Sequence, residues 1–243
     1  MAANLRSTSF VRNLQRLLKP RGRDAFLMTV VPNGKLLDVG CGNDSAARLK
    51  ALRPDIHYTG LDVGDYYQSE GALVAADAYI VTPPERFAEA IQRLPHRMDA
   101  AVSSHNLEHC DDPNAVLIAM ARRLKAGGRL YLAFPCEESV RFPRGRRGCL
   151  NFHDDPQHKE PPIFAAVCAS LEASGMRILY ARRRYRPPVL WLVGLLLEPL
   201  SALIKRVIPA GATWALYGFE SIIWAECQEV LTPTSSSMIA PIL

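Results

Sequence analysis

The stretch LLDVGCGND, residues 36–44, sets two glycines one residue apart where an apolar run meets a pair of helix-capping residues. Gly40 and Gly42 let the chain turn tightly and let a ligand lie against bare backbone. The helix that starts beyond Asn43 or Asp44 offers unbonded N–H groups and a positive dipole end, so its natural guest is an anion. A carboxylate and a pyrophosphate both qualify. The dinucleotide fingerprint needs a third glycine at position 45, where this chain has Ser45. Asp38, two residues ahead of Gly40, would sit badly beside a pyrophosphate; it suits an ammonium group or the orientation of the loop itself. Asp62 closes HYTGLD, where an acid accepts hydrogen bonds from both hydroxyls of a ribose. Asp77 closes VAAD and could hold the amino group of a base. The competing reading makes the glycines a plain turn and the two acids strand-end caps. It has to treat three signals at three successive strand ends as coincidence.

A second group of reactive side chains lies in NFHDDPQHK, residues 151–159. His153 or His158 paired with Asp154 or Asp155 would make a general base, the carboxylate fixing the imidazole tautomer. The alternative is an exposed polar turn started by Asp155-Pro156. Adjacent Asp154 and Asp155 cannot by themselves supply the octahedral oxygen set of magnesium, so no metal is expected. Arg141, Arg144, Arg146 and Arg147 stand just before this group. Arginine forks match phosphate, which points to Arg144 and Arg146, with Asp154, as groups for a phosphate-bearing acceptor. A solvated basic loop is the plainer account. Only Phe142 and Phe152 are interleaved with these arginines, too few for the stacking that single-stranded nucleic acid requires.

These residues need elements to hold them. Short apolar runs at Lys35–Val39, Tyr58–Leu61, Leu73–Ala76, Asp99–Ser103 and Arg129–Phe134 read as strands. Helical patterns at Ser45–Leu52, Pro84–Leu94 and Asn114–Leu124 separate them, and Ile163–Ser174 continues the series. Repeated β-α-β predicts a doubly wound α/β domain with a mostly parallel sheet and helices on both faces. Ligands of such sheets bind outside the carboxyl ends of the strands. Met176–Tyr185 and Ser221–Gln228 read as two further strands. The expected organisation is an amphipathic helix region over 1–28 and a catalytic domain over 29–230. Within that domain lie a polar substrate loop at 137–162 and an apolar insertion at 187–217. A flexible tail covers 231–243.

DVGCG, GLD, AD, SSHNLEHCDDP and LKAGGRLYLAFP together resemble the class I S-adenosylmethionine-dependent methyltransferases, particularly their ubiquinone-methylase-like branch. The resemblance spans roughly residues 30–136. It implies a seven-stranded sheet with an antiparallel last strand and S-adenosylmethionine as cofactor. On this likeness Gly40 and Gly42 serve the methionine part, Asp62 the ribose, and Asp77 with Ala78 the adenine, with Asp38, Cys41 and Val63 also among the cofactor-binding residues. Ser104 and His105 line the pocket near the transferred methyl, while Glu108 and His109 brace the turn. The 151–158 segment is similar to a signature of methyltransferases of bacterial surface glycans, with His153 where an aromatic usually stands. The implied acceptor is a hydroxyl of a sugar or lipid-linked glycan. A small isoprenoid or aromatic metabolite, RNA, and a non-catalytic cofactor-binding scaffold are the alternatives.

The whole chain is consistent with this. Its 243 residues are 49% apolar and 22% charged, with a formal charge of +5, which excludes wholesale disorder and favours anionic partners. Six cysteines without a C-x-x-C pair, and no apolar signal core near Met1, make the cytoplasm the expected compartment. In PPVLWLVGLLLEPLSALIKRV, residues 187–207, the uninterrupted apolar run stops at Glu198-Pro199, well short of the ~20 residues needed to span a bilayer. Flanking cations make it a candidate anchor at the inner face of the membrane, against a cover for the sheet edge or a dimer contact.

Overall fold

The computed structural model describes residues 17–42, 44–64, 69–208 and 211–228. The first sixteen residues, most of the expected leading helix, and the 231–243 tail lie outside them. Seven strands form one sheet: β1 (Lys35–Val39), β2 (His57–Asp62), β3 (Ala78–Val81), β4 (Met98–Ser104), β5 (Leu124–Pro135), β6 (Met176–Arg182) and β7 (Glu220–Cys227). Their order is β3-β2-β1-β4-β5-β7-β6. β1 to β5 are parallel neighbours, and β7 runs antiparallel between β5 and β6. β1 is central because KLLDV is apolar at successive positions, and its last four residues are buried, as a strand covered on both faces must be.

Helices pack on the two faces. α1 (Arg23–Leu27), α2 (Ser45–Leu52) and α3 (Glu70–Ala75) lie at the β1–β3 half, where Phe26, Leu27 and Leu49 join Tyr58, Val102 and Trp224 in one core. α4 (Phe87–Gln92), α5 (Pro113–Arg123) and α6 (Phe164–Ala173) cover the opposite face, closing Phe87, Leu117, Met120 and Leu171 over Leu37, Leu132 and Ile223. α5 starts where Asp112 accepts the Ala115 N–H at 2.8 Å and Pro113 occupies the first helical turn.

One expected strand is a helix. Leu73–Ala75 falls in α3, Ala76 follows its end, and the third strand forms at Ala78–Val81. A parallel neighbour of β2 needs a crossover of a dozen or more residues. A strand beginning at Leu73 would leave only about ten; beginning at Ala78 leaves room for α3.

The apolar insertion becomes α7 (Pro188–Leu203) and α8 (Ala212–Tyr217), packed as a hairpin. Gly194 permits the contact: a Cβ there would lie 2.2 Å from the Ala212 carbonyl oxygen. Among the described residues no helix is long and apolar enough to cross a membrane.

Candidate active site

A cavity of about 1050 Å³ opens at the carboxyl ends of β1, β4 and β5, where the sheet's crossovers diverge. Gly40 and Gly42 form one wall, with Asp44, Ser45 and Arg48 from the start of α2, and Ser104, His105 and Glu220 form another. Leu18, Leu190 and Trp214 make its apolar end.

The glycine loop is built from inside. Gly40 has φ +75°, and a Cβ on it would meet the Asn106 side chain at 2.5 Å. Asp38 points into the protein, where its carboxylate accepts from Ser45 Oγ at 2.6 Å and Tyr58 OH at 2.8 Å. Arg23 donates to the same Ser45 hydroxyl at 3.1 Å. Burial raises the Asp38 pKa above the usual carboxylate value, against the lowering effects of Arg23, Ser45 and Tyr58. Asp38 therefore fixes the loop on α2 from behind. Cys41 is buried, its Sγ facing Gly60, and burial with the charges of Asp38 and Asp62 pushes its thiol up to about 12. Only its backbone can serve a ligand.

Asp62 ends β2 beside this loop, its carboxylate accepting from the Val63 N–H at 2.7 Å and also from the Gly42 N–H. Burial raises its pKa. Asp62 and the exposed Val63 sit on the strand tip next to the cavity, outside its wall. Asp77 does not join them. It precedes β3, accepts from the Tyr58 N–H at 2.7 Å and pairs with Lys50 at 2.5 Å. Tyr58 is four residues before Asp62 in β2, so Asp77 and Ala78 lie at the amino end of the sheet, about 13 Å of strand away. This follows from the displaced third strand; the residues at its carboxyl tip are Val81 and Thr82.

β4 ends at Ser104, whose Oγ is buried without a hydrogen-bond partner while the residue lines the cavity. His105 follows with φ +54°. Its ring lies against Trp214, centroids 5.1 Å apart, and stacks on Phe219 at 6.0 Å. Its Nε2 is 3.2 Å from Glu220 Oε1 and its Nδ1 is 3.3 Å from Glu108 Oε1. Burial opposes charge on this imidazole. The two carboxylates outweigh it and raise the pKa to about 9, so the ring is a cation at neutral pH. Lys19 completes the row, donating to Glu220 Oε2 at 3.0 Å. Burial would raise the Glu220 pKa, but Lys19 and His105 hold it down at about 2.

An unfolded glutamate titrates near 4.5. Because the folded value is lower, the Glu220 contribution to stability is complete above about pH 4.5 and drains away as pH falls toward about 2. Urea unfolding across that window is expected to show a steeper acid loss for the parent chain than for Glu220→Gln. Equal slopes would contradict the pairing.

The loop histidines and arginines are used differently from the sequence expectation. His158 is half-buried, with Nδ1 2.6 Å from the Phe152 carbonyl and its ring 4.6 Å from Phe152. A carbonyl only accepts, so Nδ1 carries the proton. Asp155 Oδ2 is 3.9 Å from His158 Nε2, too long for a hydrogen bond. His153 is exposed, and none of His153, Asp155 and His158 lines the cavity. Asp154 closes a capping box, accepting from the backbone N–H groups of Gly145, Leu150 and Asn151. Glu108, His109 and His158 each bring a donor atom within 4.8 Å of the others, a set that could take a divalent ion. The Glu108 carboxylate of this set also faces His105 Nδ1 at 3.3 Å.

Arg146 is committed to α7. Its guanidinium reaches Glu198 at 2.9 and 2.6 Å and Ser201 at 2.9 Å, over the Tyr217 ring. Arg144 is exposed on the loop, as are Arg141 and Arg147, and stays open to an anion. Arg146→Ala leaves Glu198 without its cation and is expected to cost roughly 3 kcal/mol in unfolding free energy. The KM for the acceptor is expected to stay within about twofold, the measurement that separates a structural clasp from a phosphate contact.

Lys19, Trp214 and Glu220 are the wall residues that the sequence did not signal. They lie 86 or more positions from His105, and each is of an ordinary type for its local setting.

Residues 4–182 match the methyltransferase-domain family. Over 101 residues, 41% of this chain, it is 31% identical to a ubiquinone biosynthesis O-methyltransferase of Pseudomonas putida and 34% identical to one of Klebsiella pneumoniae. The matched parts span 43% and 41% of those relatives' own lengths. Among solved structures, an Archaeoglobus fulgidus S-adenosylmethionine-dependent methyltransferase superposes with a TM-score of 0.53, covering 87% of this chain and 94% of the other at 18% identity. The magnesium protoporphyrin IX methyltransferase of Synechocystis, solved with S-adenosylmethionine, gives 0.51, covering 92% and 84% at 13% identity. At such identities these two likenesses show the fold.

Proposed function

The chain belongs to the methyltransferase-domain family, and from that premise we propose that it methylates a ring hydroxyl of a small lipophilic acceptor with S-adenosylmethionine. The cavity fits this cofactor. Ser104 brings an unpartnered buried hydroxyl to its wall, the glycine loop leaves bare backbone, and the start of α2 suits a carboxylate. Gly40, Gly42 and Ser45 would hold the methionine end and Asp62 the ribose. The cofactor, when bound, supplies an electrophilic methyl on a sulfonium. The volume is ample for a cofactor and a small acceptor together.

The observation that carries the acceptor class is the wall beyond Ser104. Leu18, Leu190 and Trp214 present an apolar surface to a ring, and beside them stand Lys19, His105 and Glu220. Two of these three groups are cations. A phenolic hydroxyl titrates near 10, within reach of stabilisation as its anion by Lys19 and His105. An aliphatic sugar hydroxyl would need a neutral base positioned on it, and neither His153 nor His158 lines this cavity. His105 Nε2 is already on Glu220 at 3.2 Å, and its Nδ1 faces the buried Glu108 carboxylate at 3.3 Å. The part of His105 is electrostatic: with Lys19 it favours the phenolate after the phenol proton has passed to solvent water, and alignment of that oxygen with the methyl lowers the barrier by about 7–11 kcal/mol. The relatives named for ubiquinone biosynthesis support this class. Of Arg144 and Arg146, the phosphate-bearing glycan reading keeps Arg144 and loses Arg146 to Glu198.

Radiolabelled methyl transfer tests this across alkyl- or isoprenyl-substituted phenols and catechols, nucleotide sugars, lipid-linked glycans and RNA. Phenolic acceptors are expected to exceed the others by about 10²-fold in kcat/KM. A methylated sugar as the preferred product would overturn it.

A further inference from the structure

We propose that α7 is an interfacial anchor that seats the chain on an anionic lipid surface. This rests on the lipophilic-acceptor reading and names where such an acceptor comes from. α7 has sixteen residues, about 24 Å of helix, too short to span a bilayer and long enough to lie in its interface. Only Leu190, Gly194 and Ser201 of the helix are buried. Leu192, Leu196, Leu200 and Leu203 are exposed, Leu196 by 71% and Leu203 by 81%, and Trp191 stands beside them. Apolar surface this continuous on a folded chain marks a partner.

Charge decides which partner. The single ionisable side chain within α7 is Glu198, already paired with Arg146 and accepting from Tyr217 OH at 2.6 Å. Exposed Arg182 and Arg186 precede the helix, and exposed Lys205 and Arg206 follow it. Cations at both ends of an apolar stripe match anionic headgroups above acyl chains, each contributing about 1 kcal/mol near such a surface. A second copy fits poorly. A two-fold contact with antiparallel helices would set Arg182 and Arg186 of one copy against Lys205 and Arg206 of the other, with no acid on the stripe to separate them.

The inner side of the same helix reaches the chemistry. Leu190 lines the cavity, and Gly194 brings α8 against α7, placing Trp214 on the same wall. A ring compound dissolved in the membrane would therefore meet the apolar end of the cavity first.

The test is co-sedimentation of the full chain with vesicles of phosphatidylcholine alone and with about 30% phosphatidylglycerol. The anionic vesicles are expected to bind at least about tenfold more protein, with binding weakened by salt. Leu196→Glu with Leu203→Glu, both on the outer face, is expected to lose at least about tenfold of that binding with an unchanged melting temperature. Arg182→Ala, Arg186→Ala, Lys205→Ala and Arg206→Ala together are expected to remove the preference for anionic lipid. A chain that stays in the supernatant, or outer-face variants that bind as well as the parent, would overturn the anchor. So would a dimer that the outer-face variants dissolve without any vesicle binding. Methylation of a water-soluble phenol without vesicles reads the acceptor class separately: transfer without lipid binding sinks only the anchor, and lipid binding without transfer sinks only the acceptor class.

Discussion

Gly40→Ala is expected to weaken binding of S-adenosylmethionine, or of its demethylated product, by roughly 10²-fold or more. The left-handed backbone at φ +75° costs an L-residue about 1–2 kcal/mol. The new methyl would also lie 2.5 Å from Asn106 Cβ, in a turn fixed by buried neighbours, so the loop must move. Moving it misdirects N–H groups aimed at a carboxylate, and hydrogen bonds to a charged group contribute about 1.5–3 kcal/mol each. Two such losses account for the expected fall. Gly145→Ala is the control, since Gly145 shares φ +75° but a Cβ there meets nothing within 4 Å. It should show the backbone cost alone, with cofactor affinity within about twofold. Calorimetry on both variants separates the two effects, and equal affinities would remove the glycine loop from the cofactor site.

His105→Asn is expected to lower kcat by about 10²-fold while cofactor affinity changes little. Asparagine tolerates the positive φ of this position, so the backbone is kept and only the ring and its charge are removed. Without the imidazolium, Glu108 and Glu220 lose the cation between them and the cavity loses one of the two positive groups beside its apolar end. A ring that merely filled space would leave kcat intact, and the proposed role would fall with that result. Steady-state kinetics on the best phenolic acceptor, with KM reported apart from kcat, provides the readout.

Much of the cofactor half was legible because its signals are local. The strand–glycine–helix sequence of Lys35 to Leu52 predicts β1, the turn and the full span of α2, since apolar run and glycine spacing agree, although Asp44 at the N-cap turns its carboxylate to the Ser69 N–H instead of capping. Leu73–Ala76 misled for the opposite reason: four small or apolar residues fit strand and helix equally, and only the crossover length distinguishes them. Asp77 then moved to the wrong end of the sheet with its strand. Arg146 reads as a free loop cation because its partner Glu198 is 52 residues away. Glu220 is a polar residue at the start of an apolar strand, an unremarkable place, and acquires meaning only when β7 inserts beside β5 and meets His105 from 115 residues away.

That insertion carries a consequence for biosynthesis. β7 lies between two strands that precede it, pairing Arg129 with Glu226 and Arg177 with the same residue. Until it threads into place, β5 and β6 expose facing unpaired edges and the pocket has no Glu220. A nascent chain emerging from the ribosome can therefore assemble its nucleoside-binding half early, yet must wait for residues beyond 219 before either gap in the sheet is sealed. Fragments stalled short of that point would carry two sticky borders and no complete wall, making them natural clients for chaperones and proteases.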